Sequence, residues 1–185
     1  QLTIPGVDSR SGGYLFAING SNSDNTLSSA VLHDGGGWDL GSYDNEANLG
    51  SFQDENFSLL FLPRKLSGFV RALGLVDGDG TVLTSDGIFT IEHPSTGEYL
   101  LTVPGLTPEL GMLLLATPGL KGNLPADNVL SYSAQGDSFL IQSRDLPGAL
   151  LEDARFSVAY IRFQYDENWT PEPTTAVFLG GGLLA

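Results

Sequence analysis

Leu2-Thr3-Ile4-Pro5-Gly6 returns as Leu101-Thr102-Val103-Pro104-Gly105, and Asp54-Glu55-Asn56-Phe57-Ser58 returns more loosely as Asp153-Ala154-Arg155-Phe156-Ser157. Both pairs are offset by 99 residues. Such a repeat constrains the fold strongly, because two related stretches must bury related faces. Between the anchors, Asn25-Thr26-Leu27-Ser28 echoes Asn128-Val129-Leu130-Ser131, and Ser42-Tyr43-Asp44 echoes Ser143-Arg144-Asp145. The second copy has residues 66–100 ahead of its Leu-Thr-Val-Pro-Gly, whereas the first has only Gln1. The expected organisation is an N-terminally incomplete unit over 1–65, a complete unit over 66–165, and a segment over 166–185.

The local patterns read as all-β. Gly, Asp and Asn punctuate short apolar runs throughout. Phe89 and Ile91 alternate with polar neighbours, Tyr99, Leu101 and Val103 share one side of the next run, and Phe156, Val158 and Tyr160 share a face. Phe57-Ser58-Leu59-Leu60-Phe61-Leu62 is apolar on both faces after Ser58, as suits a strand covered on two sides. Gly111 and Thr117-Pro118-Gly119 confine Met112-Leu113-Leu114-Leu115-Ala116 to strand length, and its counterpart is Tyr14-Leu15-Phe16-Ala17-Ile18. Asp77-Gly78-Asp79-Gly80 reads as a turn. Glu109-Leu110 and the stretch 150–153 have room for one helical turn each. Each unit is large enough for a small jelly-roll-like β-sandwich.

Charge and composition narrow the function. Eight Lys and Arg stand against 22 Asp and Glu, a net charge of −14, which repels nucleic acid and anionic lipid. There is no cysteine, so disulfides, thiolate metal sites and a thiol nucleophile are excluded. The two histidines, His33 and His93, lack metal-ligand spacing, and His93 reads as a surface residue. No nucleophile elbow or phosphate loop occurs, and no convergent acid and base stand out, so no catalysis and no cofactor are expected. The remaining metal candidate is a weak Ca2+ site at Asp77 and Asp79, which lacks the glutamate at the twelfth loop position of an EF-hand. Trp38 and Trp169 would offer flat apolar faces to sugars if exposed; burial in the core is the expectation for a tryptophan in a β protein.

Two resemblances add to this. The run Asp79-Gly80-Thr81, Gly87-Ile88-Phe89-Thr90-Ile91, residues 96–105, Leu114-Leu115-Ala116-Thr117 and residues 153–163 resembles a β-sandwich module of secreted bacterial and fibre- or tail-associated proteins. That resemblance implies display or adhesion without chemistry. Thr170-Pro171-Glu172-Pro173-Thr174-Thr175-Ala176, followed by Val177-Phe178-Leu179-Gly180-Gly181-Gly182-Leu183-Leu184-Ala185, resembles the PEP-CTERM sorting signal of exosortase substrates in Gram-negative bacteria. Such signals continue through a hydrophobic helix into a basic cluster. Here the apolar stretch is 10 residues, short of the roughly 20 a membrane span requires, and no basic cluster follows. The resemblance implies export, surface attachment or release, and processing at Pro171, Glu172 and Pro173.

The functional expectation is an extracellular structural protein whose copies join into a fibre by β-strand donation. Ala176, Val177, Phe178, Leu179, Leu183 and Leu184 form the candidate donor, and Leu2, Ile4, Tyr14 and Phe16 the candidate acceptor edge. Head-to-tail joining of this kind is open-ended. The alternative is a carbohydrate-binding or adhesive surface module without catalysis.

Overall fold

The structure is a computed structural model that describes residues 1–20, 25–32, 34–43, 53–66, 68–117, 128–146 and 148–163. The Pro-Glu-Pro motif at 171–173, the candidate donor at 176–185, His33, Asp44 and Trp169 lie outside these residues. The described chain forms strands β1 (Gly13–Asn19), β2 (Thr26–Val31), β3 (Trp38–Tyr43), β4 (Phe57–Pro63), β5 (Val70–Val76) and β6 (Val82–Asp86). These are followed by β7 (Thr90–Ser95), β8 (Glu98–Thr102), β9 (Gly111–Ala116), β10 (Val129–Gln135), β11 (Ser138–Arg144) and β12 (Phe156–Arg162). A 3-10 turn at Pro108–Leu110 is the only helical element among the described residues. It takes in Glu109-Leu110. The other stretch expected to turn, 150–153, is extended instead, because Leu151 bridges Arg144.

Among the described residues all pairings are antiparallel, in four sheets: β1-β4, β2-β3, β6-β5-β12-β9 and β10-β11-β8-β7. The two four-stranded sheets pack face to face over Val76, Tyr99, Leu101, Phe139, Ile141, Phe156, Val158 and Tyr160, the main core. The opposite face of β6-β5-β12-β9 is also covered. There Val70, Leu73 and Ala159 meet Tyr14, Phe16 and Leu62 of the β1-β4 sheet. β5 and β12 are therefore buried on both sides, which is why their sequences are almost continuously apolar. Two register shifts, at Tyr160/Ile161 and Leu75/Val76, interrupt the ladders that β5 makes.

The repeat persists at the level of single bonds. Ile4-Pro5-Gly6-Val7 and Val103-Pro104-Gly105-Leu106 are the same turn: the Val7 amide donates to the Ile4 carbonyl at 3.1 Å and the Leu106 amide to the Val103 carbonyl at 3.0 Å. Gly6 and Gly105 take φ of 78° and 72°, the left-handed geometry at the third position that a type II turn requires. Leu2 pairs with Trp38 as Leu101 pairs with Phe139. Thr26 opposes Tyr43 as Val129 opposes Arg144. The Gln53 amide donates to the Ser42 carbonyl, and the Glu152 amide to the Ser143 carbonyl, both at 3.1 Å. Trp38 meets Phe61 edge to face at 5.6 Å and 65°, and Phe139 meets Tyr160 at 5.7 Å and 69°. β1, β2, β3 and β4 are thus the counterparts of β9, β10, β11 and β12.

Candidate functional site at the outer edge of β4

The two copies differ in what lies beside their last strand. β12 has β9 on one side and β5 on the other. β4 has β1 on the corresponding first side, and among the described residues no strand pairs with its second. The Arg64 amide donates to the Gly12 carbonyl and the Gly20 amide to the Asn56 carbonyl. Because backbone groups alternate along a strand, Ser58, Leu60 and Leu62 bond β1, while the amides and carbonyls of Phe57, Leu59 and Phe61 point outward. The counterparts of those three, Phe156, Val158 and Tyr160, sit opposite Val76, Gly74 and Ala72 of β5.

The side chains along β4 are as apolar as those of a core strand. Leu60 and Leu62 pack on the central sheet, Phe61 packs on Trp38, and Phe57 is 42% exposed. Ile18, opposite Ser58, is 56% exposed. An unpaired apolar edge of this kind is a template for another strand. None of the devices that blunt an edge, such as an inward charge or a mid-strand proline, lies between Phe57 and Leu62.

The four residues expected to form the acceptor are divided between two sheets. Leu2 exchanges both backbone hydrogen bonds with Trp38, at 2.8 Å each, and so lies beside β3. Ile4 opens the Pro-Gly turn. Tyr14 and Phe16 lie on β1, and their side chains are buried against the central sheet. Tyr14 and Phe16 face β5 and β12, and the strand side with no partner among the described residues is that of β4. Reading the repeat to its end could have shown this, since β5 has no counterpart within residues 1–65.

Asp77 and Asp79 sit in the turn joining β5 to β6. Asp77 Oδ1 accepts from Arg155 Nε at 3.0 Å and from the Gly78 amide at 3.1 Å. Asp79 Oδ1 accepts from the Thr81 amide at 2.8 Å. The Arg155 guanidinium holds the Asp77 carboxyl below its ordinary range, and the Thr81 amide does the same for Asp79. These carboxylates already have partners as turn braces, and among the described residues no group of three or more His, Cys, Asp or Glu side chains could hold a metal ion.

His93 is more engaged than a surface residue. Its Nε2 lies 2.9 Å from Asp153 Oδ1, and its ring stacks on Tyr99 at 4.9 Å. Asp153 also accepts from the Gly97 amide at 2.6 Å, bracing the turn between β7 and β8. Tyr99 donates to the Gly78 carbonyl at 2.8 Å, and burial pushes its phenol up to about 12. Trp38 is only 2% exposed, so its indole belongs to the core.

No protein family, curated protein or solved structure matches the chain.

Proposed function

We propose that this chain is an extracellular structural protein of a Gram-negative bacterium, a subunit of a surface fibre joined by β-strand addition along β4. The observation that carries the reading is the outer edge of β4, an apolar strand with no partner on that side among the described residues, whose counterpart in the other copy is paired along the same side. The incoming strand would run antiparallel to β4. Its residues opposite Phe57, Ser58, Leu59, Leu60 and Phe61 would take the places that Val76, Leu75, Gly74, Leu73 and Ala72 hold against β12. The candidate donor offers Leu179-Gly180, the same dipeptide as Leu73-Gly74. The Pro171, Glu172 and Pro173 motif supports export and surface sorting. The adhesive alternative has less to stand on, since Trp38 is buried.

Leu59→Pro tests the reading. It removes one outward amide and leaves the hydrogen bonds to β1 in place. Purified wild-type protein is expected to form filaments in negative-stain micrographs and a concentration-dependent series of oligomers by light scattering. L59P is expected to stay monomeric with an unchanged far-ultraviolet spectrum. A wild-type protein that remains a monodisperse monomer at millimolar concentration would overturn the proposal, as would L59P assembling like the wild type.

A further inference from the structure

A second site lies away from β4, at the end of the sandwich where β5, β12 and the second Pro-Gly turn converge. A cleft of about 450 Å3 opens there, with Leu66, Ile88, Val103 and Leu106 among its apolar lining and Arg71 and Arg162 as its only charged residues. In a chain with eight Lys and Arg, two arginines lining one cleft are a concentration of positive charge. Elsewhere Arg10 pairs with Asp8, Arg64 with Asp86 and Arg155 with Asp77, and Arg144 donates to the Ala149 carbonyl. Neither Arg71 nor Arg162 has a carboxylate partner among the described residues. Among the described residues the buried Nε of Arg162 has no acceptor, a state that costs stability while it stays unpaired. Ile88, which also lines the cleft, is 75% exposed.

We propose that this cleft binds a small organic carboxylate with an apolar body. Paired guanidinium donors match a planar carboxylate, and the aliphatic lining takes the rest of the ligand. A monoanion is favoured over phosphate for two reasons. The field of a chain carrying −14 opposes a dianion twice as strongly, and neither a lysine nor a helix N-terminus joins the two arginines in the cleft.

Titration of the full chain with hexanoate, followed by amide chemical shifts, tests this, with 1-hexanol and inorganic phosphate as comparison arms. Hexanoate is expected to shift the resonances of Ile88, Val103 and Gly105, and to bind at least tenfold more tightly than either comparison. Arg71→Gln and Arg162→Lys are each expected to weaken hexanoate binding tenfold or more while the rest of the spectrum stays in place. Arg71 is exposed, so its variant keeps the test valid if the Arg162 variant fails to fold. Equal binding of hexanol and hexanoate would overturn the proposal. Tighter binding of phosphate, no shifts at the cleft, or full affinity in R71Q would do the same.

Discussion

The hydroxyl of Tyr14 lies 2.9 Å from the hydroxyl of Thr84, joining β1 of the first copy to β6 of the second across 70 residues of chain. Beside it, Arg64 Nε donates to Asp86 at 2.8 Å, and the guanidinium lies 6.0 Å from the centre of the Tyr14 ring. Burial raises the Tyr14 phenol above its ordinary range, so it stays neutral and able to donate. This polar cluster borders the apolar contact made by Phe16, Leu62, Leu73 and Ala159. Tyr14→Phe is expected to cost about 1 kcal/mol, the net worth of one partly buried hydrogen bond, read as a lower urea midpoint at unchanged slope. Asp86→Asn is expected to cost at most about 1 kcal/mol, since the Arg64 pair is partly exposed.

Gly13 and Gly111 occupy the same place in the two copies, opposite Pro63 and Arg162. A Cβ at Gly13 would run into the Leu62 carbonyl and the Phe61 ring; one at Gly111 would meet the Ile161 carbonyl and the Tyr160 ring. Ala at either position is expected to cost about 1–3 kcal/mol through overpacking, measured by chemical denaturation. Gly6 and Gly105 have open space around them and positive φ, so Ala there is expected to cost only the backbone strain, about 1–2 kcal/mol.

Alkaline conditions should act through Tyr99. Its neutral phenol donates to the Gly78 carbonyl and receives the Ala154 amide at 3.1 Å. The folded value of about 12 lies above the ordinary 10, so the native state favours the protonated form. The stabilisation is complete below about pH 10 and is lost as pH rises toward 12. Absorbance titration at 295 nm should show a late-ionising phenol that Tyr99→Phe removes, and the pH dependence of the urea midpoint between about pH 10 and 12 should flatten in that variant.

Acid should act in the opposite sense at Asp77. Its folded carboxyl is held below the ordinary 3.8, chiefly by Arg155, so its contribution is present at neutral pH and disappears as pH falls below that value. Asp77→Asn should therefore be less stable than the wild type at pH 7, with the difference narrowing as pH falls below 3.8. Urea midpoints on either side of that value decide it. A gap that stays constant across this range would count against the pairing.

Much of this was readable in the sequence because it was written twice. The Pro-Gly anchors became superimposable turns, and the inward alternation of Tyr99, Leu101 and Val103 and of Phe156, Val158 and Tyr160 became the main core. The position of the first copy was not readable. Tyr14 and Phe16 carry the hydrophobicity of a sandwich interior, and nothing in their pattern says whether the opposing face comes from their own unit or from β5 and β12. The pairs Tyr14–Thr84 and Arg64–Asp86 are likewise tertiary, with no local signature. The open edge of β4 follows from a missing neighbour, which propensity does not reveal.

The sheet β6-β5-β12-β9 carries apolar side chains on both faces, and this separates the unit of duplication from the unit of folding. A polypeptide ending at residue 65 would bare Tyr14, Phe16 and Leu62, and one beginning at residue 66 would bare Val70, Leu73 and Ala159. Each would be a sticky fragment. The boundary drawn by the repeat is a place where the gene can be divided and the protein cannot; heat or urea should dissolve both copies in a single transition.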